Sequence, residues 1–273
     1  MSTCCICCPV RDGEKHLPDV LDNMQRLGET FDDYRIVLCY DDSHDKTLEI
    51  VSTYMKKNTH IELLVNTHAN VDKVKRACIA SARNKCLKHV FYRYPDYSFF
   101  IMMDCSELTA SPLNMELWKR SLERKDWDAL SFYSKNYDLW SLSSTDMSYS
   151  VWHYRQPDTH QEILRSMEDA VERCREEDLI EVYSAFNGLG VYRQSLFIDC
   201  LYDGFPCDDL IPPILLEKDS RRYGEKTPYF WKKEGEDDQD IEHRGFHWTA
   251  IAKNNPRMRV SPHPLFNTNT IIQ

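Results

Sequence analysis

Glycine is scarce in this chain, with 8 in 273 residues beside 12 prolines. That composition argues against long flexible linkers. Only one glycine, Gly13, follows the first apolar segment, so there is no glycine-rich loop of the kind that wraps a phosphate backbone-first. No run approaches the roughly 20 apolar residues of a membrane helix. The apolar N-terminus has neither a preceding basic segment nor the length of a signal peptide. The expectation is a soluble, cytosolic protein. A basic excess is also missing: the formal charge is −10, which argues against binding bulk nucleic acid or an anionic membrane surface but allows a local basic pocket. Zinc spacing is absent too. Cys4, Cys5, Cys7 and Cys8 lie too close together to surround one ion, and no second CxxC pair completes a site. They read as small apolar residues of a buried strand. The total of 11 cysteines, odd and without a secretory signal, points to reduced thiols.

What is present is a core. Hydrophobic residues make up 42% and aromatics 12% of the chain, enough for a folded α/β protein. Thr3 to Cys8 reads as a strand ended by Pro9, and Leu17, Val20, Leu21, Met24 and Leu27 recur at helical spacing. Strands are expected at Tyr34–Cys39, Ile61–Val65 and Ser98–Met103, with helices over Thr47–Tyr54 and Asp72–Val90. This alternation predicts a mostly parallel sheet flanked by helices. The second half is less regular. Ala129–Tyr133 and Leu189–Tyr192 look like strands. Ile163, Leu164, Met167, Ala170, Val171 and Cys174 stripe a helix that Asp158 or Thr159 would cap. Tyr202 to Glu236, with Pro206, Pro212, Pro213 and Pro228, reads as loop, and Ile241–Lys253 as a last helix. One domain is expected over 1–273, with a ligand-binding half over 1–107 and a catalytic half over 108–273.

Four places carry candidate chemistry. The run Phe99–Met103 has no polar residue and stops on Asp104-Cys105-Ser106. A buried strand ending on a carboxylate delivers an oxygen ligand to the sheet edge, where open α/β folds bind their ligands; an ordinary first loop residue is the plainer alternative. The second strand runs into Tyr40-Asp41-Asp42-Ser43-His44-Asp45-Lys46-Thr47. Ser43 and Asp45 suit helix capping, whereas adjacent Asp41 and Asp42 repel unless something donates to them. Arg83 lies in the small, packable stretch Ala80–Lys85, either aimed at a phosphate or snorkelling to the surface. Asp240, His243 and His247 are spaced by three and four, on one helical face. Arg244 occupies the place of the glutamate that a metalloprotease HExxH motif requires. A carboxylate and histidine at a helix start suit a metal site or a base; the plainer alternative is an acidic, solvated helix start following Glu234, Glu236, Asp237 and Asp238.

Taken in order, Pro9-Val10-Arg11-Asp12, Asp41–Thr47, Ala82-Arg83-Asn84 and Asp104-Cys105-Ser106 resemble the nucleotide-sugar-dependent glycosyltransferases of the GT-A fold. Tyr137-Asp138-Leu139-Trp140, Ala185–Arg193 and Asp240–His243 look like those of fungal capsule α-1,3-mannosyltransferase relatives and of large DNA viruses of chlorovirus type. The resemblance runs over about residues 3–262 by motif order. It implies a nucleotide pocket lined by Pro9, Val10, Arg11, Asp41 and Asp42, with Arg83 facing the diphosphate. It implies a divalent metal, Mn²⁺ or Mg²⁺, on Asp104 with Ser106 and His243 as further ligands. Asn187, Gly188 and Trp140 would shape the sugar and acceptor side, and Asp240 or Glu242 would be the base of an inverting reaction. Trp152, Tyr154 and Tyr183 are candidates for stacking on sugars. The donor implied is a nucleoside diphosphate sugar, a UDP-pentose or UDP-hexose (UDP-xylose, UDP-glucose, UDP-galactose) ahead of GDP-mannose. The acceptor would be an oligosaccharide or glycoprotein hydroxyl, in the host cytoplasm for a viral enzyme. Where the family has Asp-x-Asp, this chain has Ser106, so the second charge is missing. Two alternatives remain: a sugar-nucleotide nucleotidyltransferase, disfavoured by the single Gly13, and a carbohydrate-binding module with a degenerate transferase fold.

Overall fold

A computed structural model describes residues 2–66, 75–135, 137–145, 148, 159–175, 178–223 and 240–267. Asp72–Val74, Trp152, Tyr154, Asp158, Pro228, Glu234, Glu236, Asp237 and Asp238 lie outside the described residues. The strands are β1 (Thr3–Val10), β2 (Asp33–Asp41), β3 (Ile61–Asn66), β4 (Phe99–Met103), β5 (Ala129–Phe132), β6 (Ser143–Ser144), β7 (Ile180–Ser184), β8 (Leu189–Arg193) and β9 (Met258–Ser261). The helices are α1 (Leu17–Gly28), α2 (Thr47–Met55), α3 (Lys75–Arg93), α4 (Glu107–Ala110), α5 (Met115–Glu123), α6 (Thr159–Arg173), α7 (Pro213–Tyr223) and α8 (Glu242–Asn254).

Among the described residues, nine strands form one sheet in the order β3-β2-β1-β4-β8-β5-β9-β7-β6. The β3-β2-β1-β4 block is parallel, β8 runs against both β4 and β5, β9 runs with β5, and β7 runs against β9 and β6. The sheet is therefore mostly parallel, only β7 and β8 being reversed, and helices cover both faces.

The strand β1 explains the early cysteines. Cys4, Ile6, Cys8 and Val10 face one layer, against Leu17, Leu21 and Met24 of α1 and Trp118 of α5. Cys5 and Cys7 face the other, against Cys86, Leu87 and Val90 of α3 and Phe246 of α8. Two-sided burial leaves no polar alternation to read, and a small thiol fits between facing helices without leaving a void. All eleven cysteines are free thiols. Strand β1 runs on through Pro9, which pairs in register with Cys39, because its pairing with β4 has already ended at Cys7↔Met102. A missing N–H is tolerated where a strand has become an edge on that side.

The segment expected to be loop contains α7, with Pro213 as its first residue, where proline's fixed φ and absent N–H cost nothing. Elements α4, α5, β6, β7 and β9 go beyond the expected set; each is short. Among the described residues no helix is long and apolar enough to cross a membrane.

Candidate functional site

The parallel block puts the carboxyl ends of β1, β2 and β4 side by side, and the loops leaving them are tied together. The hydroxyl of Ser43 accepts from Asp12 N at 3.0 Å, and Asp12 Oδ1 accepts from His44 N at 2.7 Å. Thr47 Oγ1 accepts from Gly13 N at 2.8 Å, and Asp45 Oδ2 from Glu14 N at 2.8 Å. This corrects the capping expectation for Ser43. Helix α2 starts after Lys46, and Ser43 is spent clasping the β1 loop instead. Asp45, one residue before the N-cap Lys46, also accepts at Oδ1 from Thr47 N at 2.9 Å.

The Asp41-Asp42 pair is resolved by turning one carboxylate inward. Asp41 is buried, its Oδ1 accepts from Asp42 N at 3.0 Å, and its Oδ2 lies 3.8 Å from Arg11 Nη1. Asp42 is exposed. Two neighbouring negative charges are thus separated by burial and by a cation. Pro9 and Val10 lie at the end of β1, Val10 in register with Tyr40 of β2. These residues form one rim.

Asp104 stands at the end of β4 with its side chain 38% exposed. Its backbone is pinned: its N–H donates to Gly188 O at 2.8 Å, and its carbonyl accepts from Thr109 Oγ1 at 2.6 Å. Gly188 has φ +75°, a conformation that suits glycine, and a Cβ there would approach Thr109 Cγ2 to 3.0 Å. The Asp104 carboxylate receives Arg83 Nη2 at 2.8 Å, while Arg83 Nε donates to Glu242 Oε1 at 3.0 Å. Arg83 is a core residue, 3% exposed, held over the rings of Phe186 and Tyr202 at 5.0 and 5.6 Å. The snorkelling alternative does not hold. Burial opposes the Arg83 charge, but the Asp104 and Glu242 carboxylates outweigh it and hold the guanidinium pKa above its ordinary value.

His243 follows Glu242 on α8 and stacks on Phe186 at 3.6 Å between ring centroids. Burial, then the Arg83 charge, push its pKa well below that of an ordinary histidine, so the imidazole is neutral. Neither ring nitrogen has a hydrogen-bond partner, and Nε2 lies 3.7 Å from Glu242 Oε1. The other histidine of this face, His247, is fixed between Ser184 Oγ at 2.9 Å and Tyr192 Oη at 3.1 Å. Asp240 precedes the helix, whose N-cap is Ile241. The helix start is buried rather than solvated: Asp240, Glu242, His243 and Arg244 are all 2% exposed or less.

Several expected roles meet different partners. Asp240 Oδ2 accepts from Arg244 Nε at 2.8 Å and its Oδ1 from Ile241 N at 2.7 Å. Glu242 is held by Arg83. Neither presents the free carboxylate that a base needs. Ser106 caps α4 in a capping box with Thr109, so its hydroxyl serves the helix rather than a metal. Asn187 is spent internally: its amide nitrogen donates to Phe132 O at 3.1 Å and Ser134 Oγ at 2.9 Å, and its oxygen accepts from Asp138 N at 3.2 Å. Trp140 is anchored by its backbone, whose carbonyl accepts from Arg244 Nη2 at 2.5 Å. Asn187 and Arg244 therefore hold the Tyr137–Trp140 turn. Phe186, Tyr202 and Thr109, which fix Arg83 and Asp104, were not singled out from the sequence; Phe186 lies in the quoted Ala185–Arg193 run, whereas Tyr202 gives no signal.

Among the described residues no three His, Cys, Asp or Glu side chains converge as a ready metal cage. The donor set still fits a divalent ion of the hard kind, which is commonly held by one or two carboxylates and completed by phosphate and water. Only Oδ1 of the half-exposed Asp104 carboxylate is engaged by Arg83, and His243 has two unpartnered nitrogens, Nε2 lying 3.7 Å from the Glu242 oxygen that also accepts from Arg83.

Residues 5–105 match the family model described as glycosyl transferase family 2. That match spans β1 to just past Asp104. Among solved structures, S. aureus TarS 1-349 in complex with UDP superposes with a TM-score of 0.50 at 15% identity, covering 97% of this chain and 59% of that one. The mannosyltransferase PcManGT from Pyrobaculum calidifontis, in complex with GDP-Man and Mn²⁺, gives 0.45 at 16% identity over 75% of this chain and 48% of that one. A glucosyl-3-phosphoglycerate synthase from Mycobacterium tuberculosis, with Mn²⁺, UDP and phosphoglyceric acid, gives 0.41 at 12% identity over 83% and 66%. The TarS likeness shows the GT-A fold. The chain spans about three-fifths of the TarS chain it matches. A search of curated proteins finds no match.

Proposed function

We propose that this chain is a glycosyltransferase that moves a sugar from a nucleoside diphosphate sugar to a hydroxyl of a glycan acceptor. The observation that carries the reading is Asp104. It is a half-exposed carboxylate at the carboxyl end of a buried parallel strand, braced by Arg83, beside the Asp41 rim, and within the stretch that matches glycosyl transferase family 2. In the reaction the bond between the anomeric carbon and the diphosphate oxygen breaks and the diphosphate leaves with the electron pair, while the acceptor hydroxyl oxygen bonds to the carbon and releases its proton to solvent. A divalent ion, Mn²⁺ or Mg²⁺, held by Asp104 with His243 as a further ligand, would supply charge to the leaving diphosphate. Arg11, Asp41 and Asp42 would bind the nucleoside half, Asp42 being the carboxylate with room to accept from a ribose. Arg83 would set the Asp104 carboxylate at the angle the donor requires. Gly188 and Trp140 would line the sugar and acceptor side, where an indole would suit the apolar face of a pyranose.

The donor is proposed as a UDP-sugar ahead of GDP-mannose, with pentose and hexose both to be tried. The test is a panel of UDP- and GDP-sugars with Mn²⁺ or Mg²⁺, scored for release of free nucleotide, which needs no acceptor. One donor should be hydrolysed in a metal-dependent way. Asp104→Ala should abolish that release while its circular dichroism remains that of the parent. Unchanged release by this variant with metal present would sink the assignment.

A further inference from the structure

We propose that Glu242 is a positioning residue that acts on the donor through Arg83 and Asp104, and is not a base that touches the acceptor. The inference rests on Asp104 being a donor-site carboxylate, as proposed above.

The planar guanidinium of Arg83 is divided between two carboxylates from distant parts of the chain. Nε donates to Glu242 on α8, 159 residues away, and Nη2 to Asp104 beyond β4. Two nitrogens of a rigid fork, each donating at 3.0 Å or less while Nη1 has no partner among the described residues, fix its rotation more firmly than either bond alone. The faces are fixed as well, by the Phe186 and Tyr202 rings. Exposure rises along this line. The side chains of Glu242 and Arg83 are 3% and 4% exposed, that of Asp104 38%. Glu242 is thus the anchor of the three, and Asp104 is the one whose side chain is open to solvent.

Glu242 does not have a base's geometry. Oε1 is taken by Arg83, and Oε2 is buried without a hydrogen-bond partner. A base must come within hydrogen-bond reach of the proton it removes, and a carboxylate with both oxygens in the core does not. Removing its side chain instead frees Nε of Arg83, whose guanidinium then moves the Asp104 carboxylate off its donor-binding angle. A misplacement of about 1 Å at a site of this kind is sufficient to cost binding and rate.

The experiment measures UDP and GDP binding with Mn²⁺ by calorimetry, and donor hydrolysis with whichever sugar nucleotide proves active. Glu242→Gln keeps an oxygen to accept from Arg83 but is useless as a base, and it should keep turnover within about tenfold of the parent. Glu242→Ala should weaken metal-dependent nucleotide binding by about tenfold or more. In an Asp104→Asn background the same alanine change should add less than about twofold, since residues acting through one another are not additive. A merely structural role would lower stability in both backgrounds without this dependence. A turnover loss beyond about tenfold in Glu242→Gln, at unchanged nucleotide affinity, would overturn the proposal in favour of a base. So would parental nucleotide affinity in Glu242→Ala, or its full effect persisting beside Asp104→Asn. If Asp104→Asn itself leaves affinity untouched, or the parent binds neither nucleotide, the reading of Asp104 falls and takes this inference with it. An Asp104 effect without a Glu242 effect removes the positioning role alone. Should Glu242→Ala fail to fold, Glu242→Gln still decides between anchor and base.

Discussion

Ser106 shows how one residue can be read two ways at once. It stands where a second metal carboxylate belongs, yet its side chain accepts from Thr109 N and caps α4. Serine and aspartate are nearly equivalent as N-caps, whereas alanine is not. Ser106→Ala should therefore cost about 1 kcal/mol in urea unfolding. Ser106→Asp should leave stability nearly unchanged and tighten Mn²⁺-dependent UDP or GDP binding; equal or weaker metal dependence would show that the hydroxyl position does not reach the ion. His247 supplies a pH prediction at the same scale. Burial, then the Arg244 charge, lower its pKa to about 3. The folded state thus holds this imidazole neutral, while the unfolded chain protonates it near pH 6.5. Its contribution is fully present above about pH 6.5 and is lost progressively as pH falls toward 3. At pH 5 that amounts to about 2 kcal/mol. His247→Gln should unfold with a correspondingly flatter pH dependence between 6.5 and 5; parallel curves for parent and variant would refute the buried neutral histidine.

At the scale of elements, the first hundred residues were legible because each strand is a short apolar block and each helix is striped. The ends β1, β2 and β4, with Arg83 between them, came out in order for that reason. The second half was harder to read. Strand β6 is two residues long, β9 four, and α4 a single turn, too short for periodicity to register. Four prolines masked α7, although Pro212-Pro213 is a common way to open a helix. Motif order also placed Asp240 and Glu242 in the site without saying what they touch, since pairings across more than a hundred residues leave no local trace. The contacts of Arg244 with the 140–143 turn are the case in point. Arg244, fully buried, donates to Trp140 O, Leu142 O and Ser143 Oγ besides Asp240, so helix α8 carries the 140–143 turn. Arg244→Met removes one partner of a buried ion pair and the donors to that turn. It should cost about 3 kcal/mol or more in unfolding free energy. A loss under about 1 kcal/mol would mean that the pair is worth no more than a surface salt bridge.

For the molecule as a whole, the proposed function makes the carboxyl edge of the sheet the place where binding and stability would meet. Helix α3 delivers Arg83, β4 delivers Asp104 and α8 delivers Glu242 and His243, so a ligand seated there joins elements that are far apart in sequence. A ligand that binds the folded chain and not the unfolded one stabilises it by about 2.7 kcal/mol at a hundredfold excess over Kd. For a domain of this size that shifts the melting temperature by several degrees, roughly 2–4 °C per kcal/mol. UDP or GDP with Mn²⁺ should therefore raise the Tm by about 5–10 °C. EDTA should remove most of the shift, because Asp104 alone offers a diphosphate no attraction and two like charges repel. Asp104→Ala should melt close to the parent without ligand, as its side chain is half exposed and Arg83 retains Glu242, yet gain little from nucleotide. A shift that survives both EDTA and Asp104→Ala would place the nucleotide on the Arg11–Asp41 rim alone, and the carboxylate that ends β4 would then have no part in holding the donor.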